Sequence, residues 1–302
     1  MKVKLIKSPV VDKVFLFLDF RFSMEQHTTK NNAPEEEKVM SFWDHLEELR
    51  GHIFRSLIAV VILAGVAFAN RHVIFDWIIL APSSSHFITY RLLCRLGHFL
   101  HAQSLCITNM HLKIINIKMS GQFLTHMYIS IVAGFIVAFP YVLWEIWRFV
   151  RPALHENEKK YSRGGLLVST SLFLLGVVFS YFLIVPLTVN FLGTYSVSSD
   201  VVNQISLTSY ISTVVSVTFA VGIVFELPIL VYFLTRIGLI TPMMMKKNRK
   251  YMFVILLTIS AIITPPDVFS QMMVMIPLWL LYEASIIVSK RVYKRLLREA
   301  AA

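Results

Sequence analysis

SFWDHLEELR, residues Ser41–Arg50, stands immediately before the first long apolar run of the chain. Phe42, Leu46, Leu49 and Ile53 fall at helical spacing, which gives the segment one apolar face. Asp44, Glu47 and Glu48 occupy the rest. Ser41, with Asp44 three residues on, reads as a helix start, because the Ser oxygen can accept an orphan backbone N–H. The pattern predicts a short amphipathic helix on a membrane surface that runs through Gly51 into a span. An acidic cluster at that place, in a basic chain, points to a binding site for something positively charged. The plainer alternative is a surface helix in which Arg50 neutralises Glu47 at i, i+3, which still leaves Glu48 unpaired.

The surrounding composition supports the membrane reading. Of 302 residues, 56% are hydrophobic and 16% charged, with a mean hydropathy of +0.65. A soluble domain of this length carries far more charge. The net charge is +11, and its placement matters more than its sum. Five of the 29 Lys and Arg lie between Arg71 and Lys118; the other 24 lie at or before Arg55, in 148–163, in 236–250, or from Lys290 onward. That is a positive-inside pattern. It argues against nucleic acid, since the basic residues flank spans and form no patch interleaved with aromatics. Cys94 and Cys106 share one loop and can pair if that side is oxidising, while two thiols without tight spacing call for no metal. Val14–Leu18 is too short for the apolar core of a signal peptide, Asp19 interrupts it, and no small-residue cleavage site follows. Residues 1–39 are expected to be a disordered N-terminal extension, polar over residues 24–39.

In chain order, the apolar runs predict an all-α polytopic membrane protein with six spans in residues 40–295. Span one covers about Phe54–Asn70, in a helix that can run on to Ile79, and Leu80-Ala81-Pro82 stops it. Residues 83–120 form a long loop with an amphipathic piece near Tyr90–Phe99. Span two covers Phe123–Trp144, with Pro140 near its end, and a charged turn follows at 145–163. Span three covers Gly164–Val185 and is expected to end at Pro186. Span four covers Tyr210–Leu234, after a polar loop at 193–209 that has no basic residue. The last two stretches, Tyr251–Ile263 and Gln271–Val288, flank Thr264-Pro265-Pro266-Asp267 and look short. Thirteen residues reach about 20 Å against a hydrocarbon core of about 30 Å. Six spans put both termini in the basic compartment, with 83–120 on the other side and 296–302 as a C-terminal tail.

Four places carry polar groups that the pattern does not explain. Glu226, in VGIVFELPIL, lies mid-span, where a carboxylate is costly and by default functional. The bland reading is a protonated Glu bonded to a neighbouring helix. Pro228 follows it and frees a backbone carbonyl, which makes a kinked polar notch. Asp267 with Gln271 reads first as an N-cap after two prolines, a role compatible with a second one. Glu145, Glu156 and Glu158 read as a solvated turn paired with Lys159, Lys160 and Arg163, where each pair contributes about 0–1 kcal/mol. His126 reads as a packed or lumenal residue rather than a ligand. There is no HExxH, GxSxG or Walker loop, and no nucleophile–base pair, so no catalytic residue and no cofactor is assigned.

With these residues in view, the chain resembles the TatC family, the receptor subunit of the twin-arginine protein translocase. SFWDHLEELR resembles the family's N-terminal HLxELR motif, and FPYVLWEIWRFVRPALHENEKK its first cytoplasmic loop. FELPIL is similar to the span-four motif, and TPPDVFSQ to the turn between spans five and six. The likeness covers about residues 40–295 in the right order; residues 1–39 have no counterpart, and 83–120 matches poorly. The wording looks closest to the mitochondrion-encoded branch, which implies the mitochondrial inner membrane, although bacterial and plastid members share every motif.

The resemblance implies a receptor for twin-Arg signal peptides of folded cargo. Glu48, Arg50, Phe149 and Glu158 stand in its signal-binding positions, and Glu226, Asp267 and Gln271 in its intramembrane polar positions. Pro82, Pro140, Pro152, Pro265 and Pro266 are structural. The implied partners are TatA-like and TatB-like single-span subunits, further copies of the chain and the bilayer. The implied driving force is the proton gradient. A carboxylate binds a guanidinium bidentately, more specifically than an ammonium, so Glu48 and Glu158 would supply one acid per arginine. The rival reading is a proton-coupled secondary transporter that uses Glu226 as its carrier; an intramembrane enzyme would need a catalytic pair that is not there.

Overall fold

The computed structural model describes residues 42–84, 87–99, 112–150, 156–196, 198, 203–265 and 267–299, with the side chains of 42–45, 96, 97, 99, 150 and 156–163 left aside. The opening amphipathic segment and the first apolar run form one helix, α1 (Phe42–Ala69), which passes through Gly51 without a break. A π-helical turn, Val73–Ile79, and a short 3-10 turn, Ala81–Ser83, then stop the chain at Pro82 as expected. The amphipathic piece in the following loop is a helix, α2 (Ile88–Phe99).

After β1 (Lys113–Ile115) comes α3 (Gly121–Val150), 30 residues long with Pro140 inside it. The next helix, α4 (Glu156–Phe179), passes into a π-helical turn at Ser180–Ile184 and then into α5 (Val185–Thr194). The helical path therefore continues beyond Pro186, where the sequence predicted an end. Proline has no N–H to give the carbonyl four residues back, that of Phe182. The Thr89 hydroxyl donates to that carbonyl instead, and the π turn accommodates the ring.

The rest of the chain is β2 (Gln204–Ser206), α6 (Leu207–Val224), α7 (Leu227–Arg236), α8 (Pro242–Lys247), α9 (Arg249–Ile263) and α10 (Val268–Glu299). β1 and β2 pair in parallel, Lys113 with Gln204 and Ile115 with Ser206, so two loops expected to be irregular share a small ladder that the all-α expectation omits.

Among the described residues five helical stretches are long and apolar enough to cross a membrane: Leu46–Ala69, Gly121–Phe149, Gly164–Thr194, Leu207–Arg236 and Val268–Glu299. The sixth expected span, α9, has 15 residues and reaches about 22 Å, short of the hydrocarbon core. The last helix differs from the expected short element. Its 32 residues run from the Asp267 turn into the basic tail, because Lys290–Arg298 continue the helix after the apolar residues end.

The core gathers buried residues of α5, α6 and α10 into one cluster. Tyr210, Ile211, Val214, Val217 and Val221 pack with Val274, Leu278, Tyr282, Ile286, Val185 and Val189. α1 stands outside that core and packs on α3. A Cβ at Gly134 of α3 would sit 2.5 Å from the Ala64 backbone nitrogen, so this crossing admits only glycine. The outer face of α1 leaves Ile53, Leu57, Val61 and Ile62 uncovered, a surface suited to hydrocarbon and costly in water.

Three tyrosines close the opposite end of the bundle. Tyr181 donates to the Ile78 carbonyl and Tyr210 to the Ile79 carbonyl, each at 2.7 Å. The Tyr90 hydroxyl lies 2.9 Å from both the Pro82 and Pro186 carbonyls. These carbonyls come from helix ends and prolines, which leave acceptors without N–H partners. Burial pushes the Tyr90 hydroxyl up, so it stays a neutral donor. His126 is packed, stacked on Phe68 at 4.0 Å and met edge-on by Phe75.

Candidate functional site

The site nearest the chain's start is built from α1 and the end of α3. Both helices run past their apolar stretches, which brings Glu48 and His52 of α1 beside Glu145 and Phe149 of α3. Glu145 was expected in a solvated turn. It is instead helical and 1% exposed, because residues 145–150 continue α3 and carry it against α1. A buried carboxylate needs donors. His52 Nδ1 meets one of its oxygens, and the Tyr141 hydroxyl donates to the other at 3.0 Å. Arg55 Nη1 stands 4.0 Å away. The other face of the His52 ring is directed at Glu48, with Nε2 3.9 Å from Oε1. Phe149 meets the same imidazole edge-on at 6.1 Å between ring centroids.

Glu48 is therefore half-engaged. One oxygen faces His52, and the other is buried with no hydrogen-bond partner. Among the described residues no ion pair joins Arg50 to Glu47; the Arg50 guanidinium lies 5.6 Å from the Phe54 ring centroid. Of the four expected signal-binding residues, the structure brings Glu48 and Phe149 together through His52 and keeps Arg50 on the same helix. Glu158 is on α4, but its side chain lies outside the described residues, as does Pro152.

The second site is Glu226, at the two-residue break between α6 and α7. Pro228 in the first turn of α7 cannot donate to the Val224 carbonyl, and the helix opens there. One Glu226 oxygen accepts from the Ser169 hydroxyl of α4. The other is buried without a partner. Close packing holds the two helices around it: a Cβ at Gly176 would sit 2.7 Å from Phe225.

The third site is the turn before α10. Asp267 Oδ1 accepts from the Ser270 N–H at 2.7 Å, the N-cap expected from the sequence, and Oδ2 is buried without a partner. Gln271 donates to the Leu257 carbonyl at 3.1 Å and so ties α10 to α9. The Pro265 carbonyl accepts from Asp267 N–H at 2.7 Å, and Pro266 lies outside the described residues. Beside this turn a cleft of about 590 Å³ opens between α6 and the end of α9. Thr208, Ser209, Ser212, Thr213 and Ser216 line it from α6, and Thr264 and Pro265 from the turn.

Sequence reasoning missed His52, the burial of Glu145, Ser169, and this hydroxyl stripe. Two of these left a readable trace. His52 lies four residues after Glu48, on the same helix face, and the stripe follows a spacing of three and four through α6. Ser169 left none, because a lone serine in an apolar helix is ordinary. Cys94 is in a disulfide, and Cys106 lies outside the described residues.

Comparison with known proteins places this arrangement. The family model for TatC, the Sec-independent protein translocase protein, matches residues 44–277. The chain is 42% identical over 262 residues to the Sec-independent protein translocase protein TatC of Blattabacterium sp. subsp. Periplaneta americana, covering 86% of this chain and 98% of that one. It is 32% identical over 259 residues to TatC of Halalkalibacterium halodurans, covering 86% and 92%. These relatives are bacterial and lend no support to the mitochondrial branch. A crystal structure of the twin arginine translocase receptor TatC superposes with a TM-score of 0.65 at 34% identity, over 82% of this chain and 99% of that one. A second, in the detergent DDM, gives 0.67 at 35%, over 81% and 99%. Family match, relatives and fold agree with the motifs in α1, α3, α7 and the turn before α10, and the chain belongs to the TatC family of Sec-independent protein translocase proteins, multi-pass proteins of the membrane.

Proposed function

We propose that this chain binds twin-Arg signal peptides at the surface formed by α1, the end of α3 and the start of α4. The observation that carries the reading is Glu48. Its carboxylate faces His52, whose ring meets Phe149, and one of its oxygens is buried and unpartnered. An unmet buried acceptor costs about 1–3 kcal/mol, and a guanidinium donor would relieve that cost while adding a charge-assisted bond. Glu158 supplies the second acid, and Arg50 and Phe149 complete the binding surface. Crosslinking the chain to a twin-Arg signal peptide, with a twin-Lys peptide as control, tests this; equal capture of both peptides would sink it.

The same reading takes α9 as a sixth, short span, with both termini on the basic side and the bilayer thinned around α9. Lys159 and Ser198 should then react with a membrane-impermeant label from opposite sides, and labelling from one side refutes the topology. Single-span partners of the TatA-like and TatB-like kind, and further copies of this chain, would assemble with it, Glu226, Asp267 and Gln271 offering polar contacts in the bilayer. The unpartnered oxygens of Glu226 and Asp267 support that role. Transport of folded cargo would draw on the proton gradient. The transporter alternative is not favoured: the family match and both superposed structures are of a protein translocase component.

A further inference from the structure

We propose that His52 and Glu145 are positioning residues of the signal-peptide site, a buried strut that sets the carboxylate of Glu48 for guanidinium recognition. The inference rests on the receptor reading above and names residues that the motifs do not. Glu145 is almost wholly buried and is fixed on α3 by the Tyr141 hydroxyl. It holds His52 through Nδ1, and His52 is itself only 5% exposed. A ring gripped at one nitrogen has one direction left for the other. That nitrogen, Nε2, points along α1 to Glu48 Oε1, one helical turn toward the chain's start.

The consequence is an asymmetric carboxylate. Oε1 is turned toward the imidazole, and Oε2 is left without a partner. A long acidic side chain on a helix surface otherwise samples several rotamers, and binding must freeze them. Here the imidazole, itself met edge-on by Phe149, restricts Glu48 before any ligand arrives. Planar guanidinium recognition gains most from that restriction, because it needs both the position and the plane of the carboxylate. An ammonium needs only a nearby charge. The strut therefore bears on the preference for arginine over lysine, beyond affinity alone.

The test uses the full chain in detergent, with labelled twin-Arg and twin-Lys signal peptides. His52→Leu removes the strut but strands Glu145. The double variant His52→Leu/Glu145→Leu removes it while replacing both buried partners with apolar groups, an exchange that buried pairs tolerate. Both variants are expected to lose about tenfold in twin-Arg affinity and much less in twin-Lys affinity. His52→Gln, which keeps an N–H donor between the two acids, should recover most of the loss. In a Glu48→Ala background the double variant should cost nothing further, since the group it positions is gone. Wild-type preference for twin-Arg retained in the folded double variant would overturn the proposal and leave the receptor reading standing. An equal loss in the Glu48→Ala background would also overturn it, because the strut would then be acting on the fold. A wild-type chain that binds both peptides alike would remove the receptor reading and the proposal together.

Discussion

Glu145 and Glu226 are both carboxylates set among apolar residues, one within a helix and one at a helix break, and they are held in opposite ways. Glu145 is enclosed, with His52 on one oxygen, the Tyr141 hydroxyl on the other and Arg55 4.0 Å off. Glu226 is half-buried at a helix break, with one serine on one oxygen and nothing on the other. The first arrangement completes itself within the chain. The second leaves an acceptor for something else. Burial of an acid is thus a poor guide to its role here; the number of its valences met inside the chain separates an internal brace from a contact point.

The largest effect that can break this contrast is on stability. His52→Ala leaves Glu145 buried against too few donors, and loss of one member of such a pair costs about 3–5 kcal/mol. A large drop in the thermal midpoint in detergent is expected, and a midpoint unchanged from wild type would mean that Glu145 is not braced by His52. Next comes Glu48→Ala or Glu158→Ala, each expected to weaken twin-Arg peptide binding by tenfold or more, as a lost charge-assisted bond costs about 1.5–3 kcal/mol. Glu156→Ala should matter less, and unchanged affinity in both single variants would remove the one-acid-per-arginine assignment.

At Glu226 the expected pattern is a split. Glu226→Ala should lose assembly with single-span partners yet keep signal crosslinking, because the two sites lie at different levels of the bundle. Glu226→Gln should retain much of both, since an amide still bonds to Ser169. A Gln variant as inactive as Ala would point instead to a titrating carrier. The smallest effect sharpens the comparison. Asp267→Ala removes a helix cap, costing about 0.5–2 kcal/mol of stability, and Asp267→Asn should restore most of that stability. Failure of Asn to restore partner assembly, with stability recovered, would show that the buried second oxygen of Asp267 has a role apart from the cap.

The sequence alone was enough for the membrane class, the run of α1 through Gly51, the stop at Pro82, the α2 helix and the Asp267 cap. Each is a local matter: hydrophobic period, proline's missing donor, or a side chain that reaches its own backbone. It also supplied the family through four short motifs in order. What the tertiary structure alone decided are the pairings between distant helices. Glu145 looked like a turn residue because its neighbours Trp147–Arg151 mix aromatic and basic residues, and only the approach of α1 at the Gly134 crossing places His52 against it. Pro186 looked like an end because nothing local supplies the donor that Thr89 brings from a segment 93 residues away. Hydrogen-bond satisfaction in a buried interior is a property of the assembled bundle, and a chain read one window at a time carries no record of which donor will arrive.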